Sequence, residues 1–222
     1  MEELIKKENN IFEILQRFID NNLNFVIVGG YAVSSFKHRF SVDADIVISN
    51  QDLEYFEKIL DKEGFKKTIS KELNNLYSSK FVRYDKNTAS IDLMIDALAS
   101  RTTNASFGYE LLLNNSSKRK IIGIEKEVLV NVPSKELLIA TKIHSGRLTD
   151  FRDIAALAKD TNLELIKKFL FRGDLAKIKE NLTKLKGVVK NKDFADSFKG
   201  VFIEKKFDID LKRVEEISNI KF

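Results

Sequence analysis

Three aspartates in this 222-residue chain have the type and spacing of a cation site. Asp43 and Asp45, in SVDADIVI, are separated by one residue, and in an extended segment that spacing aims both carboxylates to the same side. Two like charges held so close are costly unless a cation lies between them. Mg²⁺ suits such a pair, because it takes a few carboxylate oxygens and fills its remaining positions with water and substrate phosphates. Asp92, in IDLMID, offers a third carboxylate, and Asp96 is the alternative on the same face. With two ions about 4 Å apart, one lowers the pKa of an attacking hydroxyl and the other neutralises a leaving pyrophosphate. Asp92 would then receive the hydroxyl's proton, and Mn²⁺ could replace Mg²⁺. Asp-x-Asp is also common in solvated strands and turns, so the reading rests on the surrounding residues.

Upstream, Gly29 and Gly30 stop the apolar run FVIV and open a helix. Glycine lets the backbone approach a phosphate, and a helix start offers N–H groups to the anion. A turn that needs glycine only for its backbone angles is the alternative. Arg39, just before the Asp-x-Asp segment, is a further candidate phosphate contact, with a solvated loop arginine as the other reading.

The elements that must position these residues follow from periodicity. Ile11 to Asn22 has helical apolar spacing, and FVIVGG reads as a short buried strand. Tyr31 to Phe36 permits a second helix. Val42 to Ile48 alternates as a strand, with Val42, Ala44 and Ile46 opposite Asp43 and Asp45. Asp52 to Asp61 reads as a helix, and Tyr77 to Tyr84 and Ser90 to Ala97 as strands, the latter placing Asp92, Met94 and Asp96 on one face. The expected class is α+β: a mixed central sheet flanked by helices over 1–132, then a helical module over 133–222. The only proline, Pro133, marks that boundary. Beyond it, Ser134 is an expected N-cap for ELLIATKIH, Gly146 a stop, and Thr149 a second N-cap for FRDIAALAK.

VIVGGYAVSSFKHRFSVDADIVI resembles the signature of the DNA polymerase beta-like nucleotidyltransferase superfamily: a Gly-Gly or Gly-Ser turn, a helix, then Asp-x-Asp. The third acid in IDLMID falls where that family places it. Within the superfamily the chain is most similar to minimal nucleotidyltransferases of the abortive-infection AbiEii type, which include toxins of toxin–antitoxin systems. In that group a later helical pair carries a Lys, an Arg and spaced acids, and TKIHSGRLTDFRDIAAL supplies Lys142, Arg147, Asp150 and Asp153 in matching order. The resemblance implies transfer of a nucleoside monophosphate from an NTP to an acceptor hydroxyl. Lys142 and Arg147 would neutralise the triphosphate or the charge that develops during transfer, and Asp150 would orient one of them. Acids in a first helical turn also complement the macrodipole, which is the plainer role for Asp150 and Asp153. One departure is that Tyr31 follows Gly30 where many relatives place a serine beside the glycine to help hold phosphate.

Composition narrows the alternatives. There is no cysteine, so thiolate metal sites and disulfides are excluded and a reducing cytoplasm is the expected compartment. The opening MEELIKKENN lacks the unbroken apolar stretch of a signal or membrane span. His38 and His144 are the only histidines, too few for a histidine-based zinc site or a recognisable triad, and Ser34 and Ser35 lack a G-x-S-x-G context. The net charge of +5 lies entirely after Asp150, and Arg172 to Lys192 reads as a basic amphipathic helix. That face would dock RNA phosphates or be simply solvated. The AbiEii resemblance, together with this basic half, implies RNA, particularly a tRNA 3′ end, as the first expected acceptor, with a protein antitoxin as an implied partner and no membrane. A small hydroxylated antibiotic-type molecule and a protein side chain are the other acceptors. A noncatalytic nucleic-acid- or partner-binding protein of the same fold is the alternative of a different class.

Overall fold

The computed structural model describes residues 2–41, 43–72, 80–198, 201–202 and 209–221. Contacts within the chain divide it into two compact units. The first comprises residues 1–35, 40–98 and 108–133, and the second 36–39, 99–107 and 134–222. Two short segments from the N-terminal half therefore join the helices that follow Pro133.

The first unit is built on a seven-stranded mixed sheet. Its strands are β1 (Val26–Val28), β2 (Asp43–Ile48), β3 (Lys66–Glu72), β4 (Lys80–Lys86), β5 (Ala89–Ile95), β8 (Ser116–Ile122) and β9 (Glu127–Pro133), in the order β3-β4-β5-β2-β1-β9-β8. The pairs β1–β2 and β4–β5 are antiparallel, whereas β2–β5 and β1–β9 are parallel. Helices α1 (Glu2–Asp20), α2 (Gly29–Ser34), α3 (Leu53–Lys62) and α4 (Tyr109–Asn114) flank it. The apolar face of α1 (Ile11, Phe12, Ile14, Leu15, Phe18) is buried, and the Phe18 ring meets Phe25 and Phe56 edge-on with centroids 5.9 and 4.7 Å away. Burying such rings accounts for much of the stabilisation of this layer. The α+β class expected from the sequence is what the structure has.

Several boundaries differ from the periodicity. The described part of the strand expected over Tyr77 to Tyr84 is β4, and residues 77–79, like Val42, lie outside the described residues. Asp96 does not continue the Asp92 face: β5 ends at Ile95, and Asp96 takes a left-handed backbone with φ of 65°. Its Oδ1 accepts the Asn50 backbone N–H at 2.8 Å, so the side chain closes the turn after β2. A short polar side chain that bonds locally tolerates such a conformation, which alternation alone does not reveal.

The second unit is mainly helical, with α5 (Lys135–Ser145), α6 (Leu148–Leu157), α7 (Leu163–Leu170), α8 (Leu175–Val189) and α9 (Leu211–Ser218). Residues 99–107 supply most of a hairpin, β6 (Ala97–Ser100) and β7 (Ala105–Gly108). Ser134 caps α5 by accepting the Leu137 N–H, and Gly146 ends it in a left-handed conformation. The N-cap of α6 is Arg147 and not Thr149, because the Asp150 carboxylate reaches back to accept the Arg147 backbone N–H. The basic helix expected over 172–192 is α8, preceded by a turn at Gly173; Ile178, Leu182 and Leu185 are buried along one side.

His144 is fully buried in this unit, its Nδ1 2.7 Å from the Thr103 hydroxyl and its ring against Phe107. Burial, aided by the Arg172 charge, lowers its pKa to about 4 from an ordinary 6.5. A histidine that is neutral in the fold and protonated in the unfolded chain leaves stability intact above pH 6.5 and removes it progressively down to pH 4. The slope over that window approaches about 1.4 kcal/mol per pH unit. Urea unfolding at pH 7.5 and 5 should therefore show a fall that is about 2 kcal/mol larger for the native chain than for His144→Gln. Equal falls would remove this account.

Candidate active site

The carboxylates come together through strand register in the first unit. β2 pairs with β5 so that Asp45 lies opposite Asp92 and Asp43 opposite Ser90. Residues opposite one another in paired strands share a face, so Asp43, Asp45 and Asp92 all project to one side of the sheet. Asp43 and Asp45 are partly exposed, whereas Asp92 is 4% exposed.

The glycine turn fits against this row. β1 runs antiparallel to β2 with Val28 opposite Asp45, so Gly29 is the next residue along, at the start of α2. Gly29 has φ of +65°, and a Cβ built there would lie 1.9 Å from Asp45 Oδ2 and 2.8 Å from its Cγ. The backbone angle strains any other residue here, and a side chain would have to push the Asp45 carboxylate aside. Gly29→Ala should displace the Asp45 carboxylate by about an ångström, a shift of the size that costs about a hundredfold in rate. Turnover of the variant, with circular dichroism to show that the sheet persists, measures this; unchanged turnover would mean that Asp45 has no chemical role.

Sequence reasoning missed Arg83. It stands on β4 directly opposite Asp92. Its Nε donates to Asp92 Oδ1 at 2.6 Å, its Nη2 to Asp92 Oδ2 at 2.6 Å, and Nη2 lies 3.5 Å from Asp43 Oδ2. Burial pushes the Asp92 carboxyl above its ordinary pKa, against the opposing pull of Arg83, and the Arg83 guanidinium is driven still higher by its bond to Asp92. The signal that could have found it is the alternation of FVRYD, which buries Val82 and Tyr84 and leaves Arg83 on the opposite side. Tyr31, which follows the glycines, is buried, its ring edge-on to Phe12 and its hydroxyl 3.4 Å from the Ser41 carbonyl.

The remaining expected residues form a separate cluster in the second unit. Lys142 Nζ lies 3.1 Å from Asp150 Oδ1 and 2.8 Å from Asp153 Oδ2. Arg39 pairs with Asp153, and Arg147 Nε donates to Asp150 Oδ2 at 2.8 Å. Burial alone would lower the Lys142 pKa, but the two carboxylates outweigh it and hold the ammonium above its ordinary value. Lys142 and both acids are buried, whereas the Arg147 side chain is 69% exposed. Arg147 is thus the member that an anion in solution meets most readily.

The donors at Asp43 and Asp45 are hard carboxylate oxygens, the kind that Mg²⁺ takes in ones and twos beside substrate phosphates. Among the described residues no three acidic or histidine side chains stand together as a ready-made metal cage. The pair fits such an ion on its own; the third carboxylate is held by Arg83.

No family model and no curated protein matches the sequence. Among solved structures, the chain is similar to the solution structure of the antibiotic-resistance factor ANT(2'')-Ia, with a TM-score of 0.54 and 16% identity over 81% of this chain and 94% of that one. It is similar also to the crystal structure of ANT(2'')-Ia in complex with adenylyl-2''-tobramycin, at 0.52 and 15% over 81% and 98%. JHP933 from Helicobacter pylori gives 0.48 and 15%, over 98% of this chain and 91% of that one. The fold is therefore that of ANT(2'')-Ia. Among the described residues no helix is long and apolar enough to cross a membrane.

Proposed function

We propose that this chain is a nucleotidyltransferase that moves a nucleoside monophosphate from an NTP onto an acceptor hydroxyl. The observation that carries the reading is the register that sets Asp45 opposite Asp92, with Gly29 packed against the Asp45 carboxylate. The acceptor oxygen forms a bond to the α-phosphorus, the bond from that phosphorus to the β-phosphate's bridging oxygen breaks, and pyrophosphate leaves with the electron pair. Asp43 and Asp45 would hold Mg²⁺, or Mn²⁺ in its place, which when bound polarises the phosphate and stabilises charge on the leaving group. Asp92 completes the carboxylate row and receives the hydroxyl's proton. Gly29 and Gly30 let the backbone approach the phosphates, and Arg147, steadied by Asp150 beside Lys142 and Arg39, meets substrate charge.

For the acceptor, the lysines on the outer side of α8 support RNA, since phosphate contacts give affinity without base selection, and the AbiEii resemblance points within RNA to a tRNA 3′ end. The shared fold with ANT(2'')-Ia, solved with adenylyl-2''-tobramycin, supports a small hydroxylated molecule as the second reading. A toxin role under control of a protein antitoxin, which the AbiEii resemblance implies, depends on this same chemistry. The test is incubation with Mg²⁺ and each of the NTPs labelled at the α-phosphate, with total RNA in one arm and aminoglycosides or lincosamides in the other. Label entering RNA or drug only with Asp43 and Asp45 intact supports transfer and identifies the acceptor class. No labelling, together with no metal-dependent NTP binding, leaves the noncatalytic binding protein.

A further inference from the structure

The third carboxylate of the proposed site is already engaged. Both oxygens of Asp92 accept charge-assisted hydrogen bonds from Arg83, at 2.6 Å each, and the same guanidinium lies 3.5 Å from Asp43. A planar fork matched to a carboxylate is the strongest geometry available to such a pair. The Asp92 side chain is 6% exposed and that of Arg83 31%, so Asp92 is fixed in the sheet while the arginine has a route to solvent. One guanidinium therefore balances the acid nearest the interior and touches a second that would hold the cation.

A divalent cation entering at Asp43 and Asp45 meets this fixed positive charge and finds Asp92 occupied. We propose that Arg83 is a resident counter-ion that the cation must displace, which makes cation binding depend on nucleotide. The triphosphate of an NTP brings negative charge that offsets the repulsion and offers the released guanidinium a new partner. Free cation binds weakly; cation together with nucleotide binds well. The inference rests on the nucleotidyltransferase reading for the location of the cation and adds a positioning role for a residue outside the acidic motif.

The test is Mn²⁺ binding to the full chain, followed by electron paramagnetic resonance, with and without an NTP analogue carrying a methylene bridge between the α- and β-phosphates. Arg83→Gln is expected to bind free Mn²⁺ at least about tenfold more tightly than the native chain, because a unit charge close to the ion has been removed. The gain from adding the analogue should shrink by a similar factor. Arg83→Lys keeps the charge but not the fork, so it should tighten free Mn²⁺ binding by a few-fold only, and it serves if the glutamine variant does not fold. Adding Asp43→Asn to either variant should abolish the tight binding. If both variants bind free Mn²⁺ no better than the native chain while losing thermal stability, Arg83 is structural and the proposal is overturned. Tightening that depends on Asp43, in a protein that transfers no nucleotide to any acceptor, keeps the counter-ion role and overturns the transferase reading. Mn²⁺ binding indifferent to Asp43 in every variant overturns both.

Discussion

Replacing Asp43 and Asp45 together by alanine is expected to lower nucleotidyl transfer by about a thousandfold or more. That factor corresponds to about 4 kcal/mol of transition-state stabilisation, the scale supplied by a cation held at a transferring phosphate. The two side chains project from the same side of β2, and each alanine removes a donor without entering the core. Stability should move the other way. Asp43, Asp45 and Asp92 share one face of the sheet, so deleting two of the three acids relieves repulsion between them, and the melting temperature should hold or rise. Loss of label transfer with an unchanged or raised melting temperature separates a chemical role from a structural one. Transfer that survives in the double variant would sink the proposed function, and a collapse of both properties would make these acids part of the fold.

The largest expected effect on stability lies in the second unit, at Lys142. Its ammonium is sandwiched between Asp150 and Asp153, both at or below 1% exposure, with Arg39 and Arg147 on the outer sides of the two acids. Removing one partner of a buried ion pair leaves charge without compensation and costs about 3–5 kcal/mol. Lys142→Met, similar in length but uncharged, should lose stability on that scale in urea unfolding at neutral pH. Adding Asp150→Asn should recover part of the loss, because the orphaned charge is gone; a loss under about 1 kcal/mol would mean that the arginines suffice. The sign with pH follows from both partners. The Asp150 carboxyl is held below its ordinary pKa by Lys142 and Arg147 despite burial, so its contribution is complete above the ordinary value of 3.8 and is lost as pH falls through the lowered one. Lys142 is held above 10.5, so its contribution is complete below that value and is lost only as pH rises through the raised one. The cluster is intact across the neutral range.

This burial also bears on how Lys142 acts. The resemblance implies that Lys142 and Arg147 meet the triphosphate directly, yet the Lys142 charge is already balanced inside the helical unit, and only Arg147 of the two is substantially exposed. What Lys142 does in the structure is hold Asp150, and through it Arg147, in a fixed geometry. Asp150 thus ties α6 to α5 through Lys142 and steadies the exposed Arg147.

Local rules sufficed for much of the molecule. Alternation in DADIVI placed two acids on one face, two glycines marked a close turn, and Ser134 and Gly146 announced the ends of α5, because each signal depends only on residues a few positions apart. Thr149 failed as a cap since Asp150, one residue on, supplied a better acceptor to the turn before it. Asp96 failed as a ligand candidate since β5 stops one residue short of it. What the tertiary structure alone decided was pairing across distance. The register of β2 on β5 set Asp92 beside Asp45, that of β4 on β5 set Arg83 upon Asp92, and the packing of α5 with α6 buried Lys142 between Asp150 and Asp153. Side-chain direction along a strand or helix is a property of the local backbone, whereas which strand lies alongside, and in which register, is settled by the burial of both sheet faces at once.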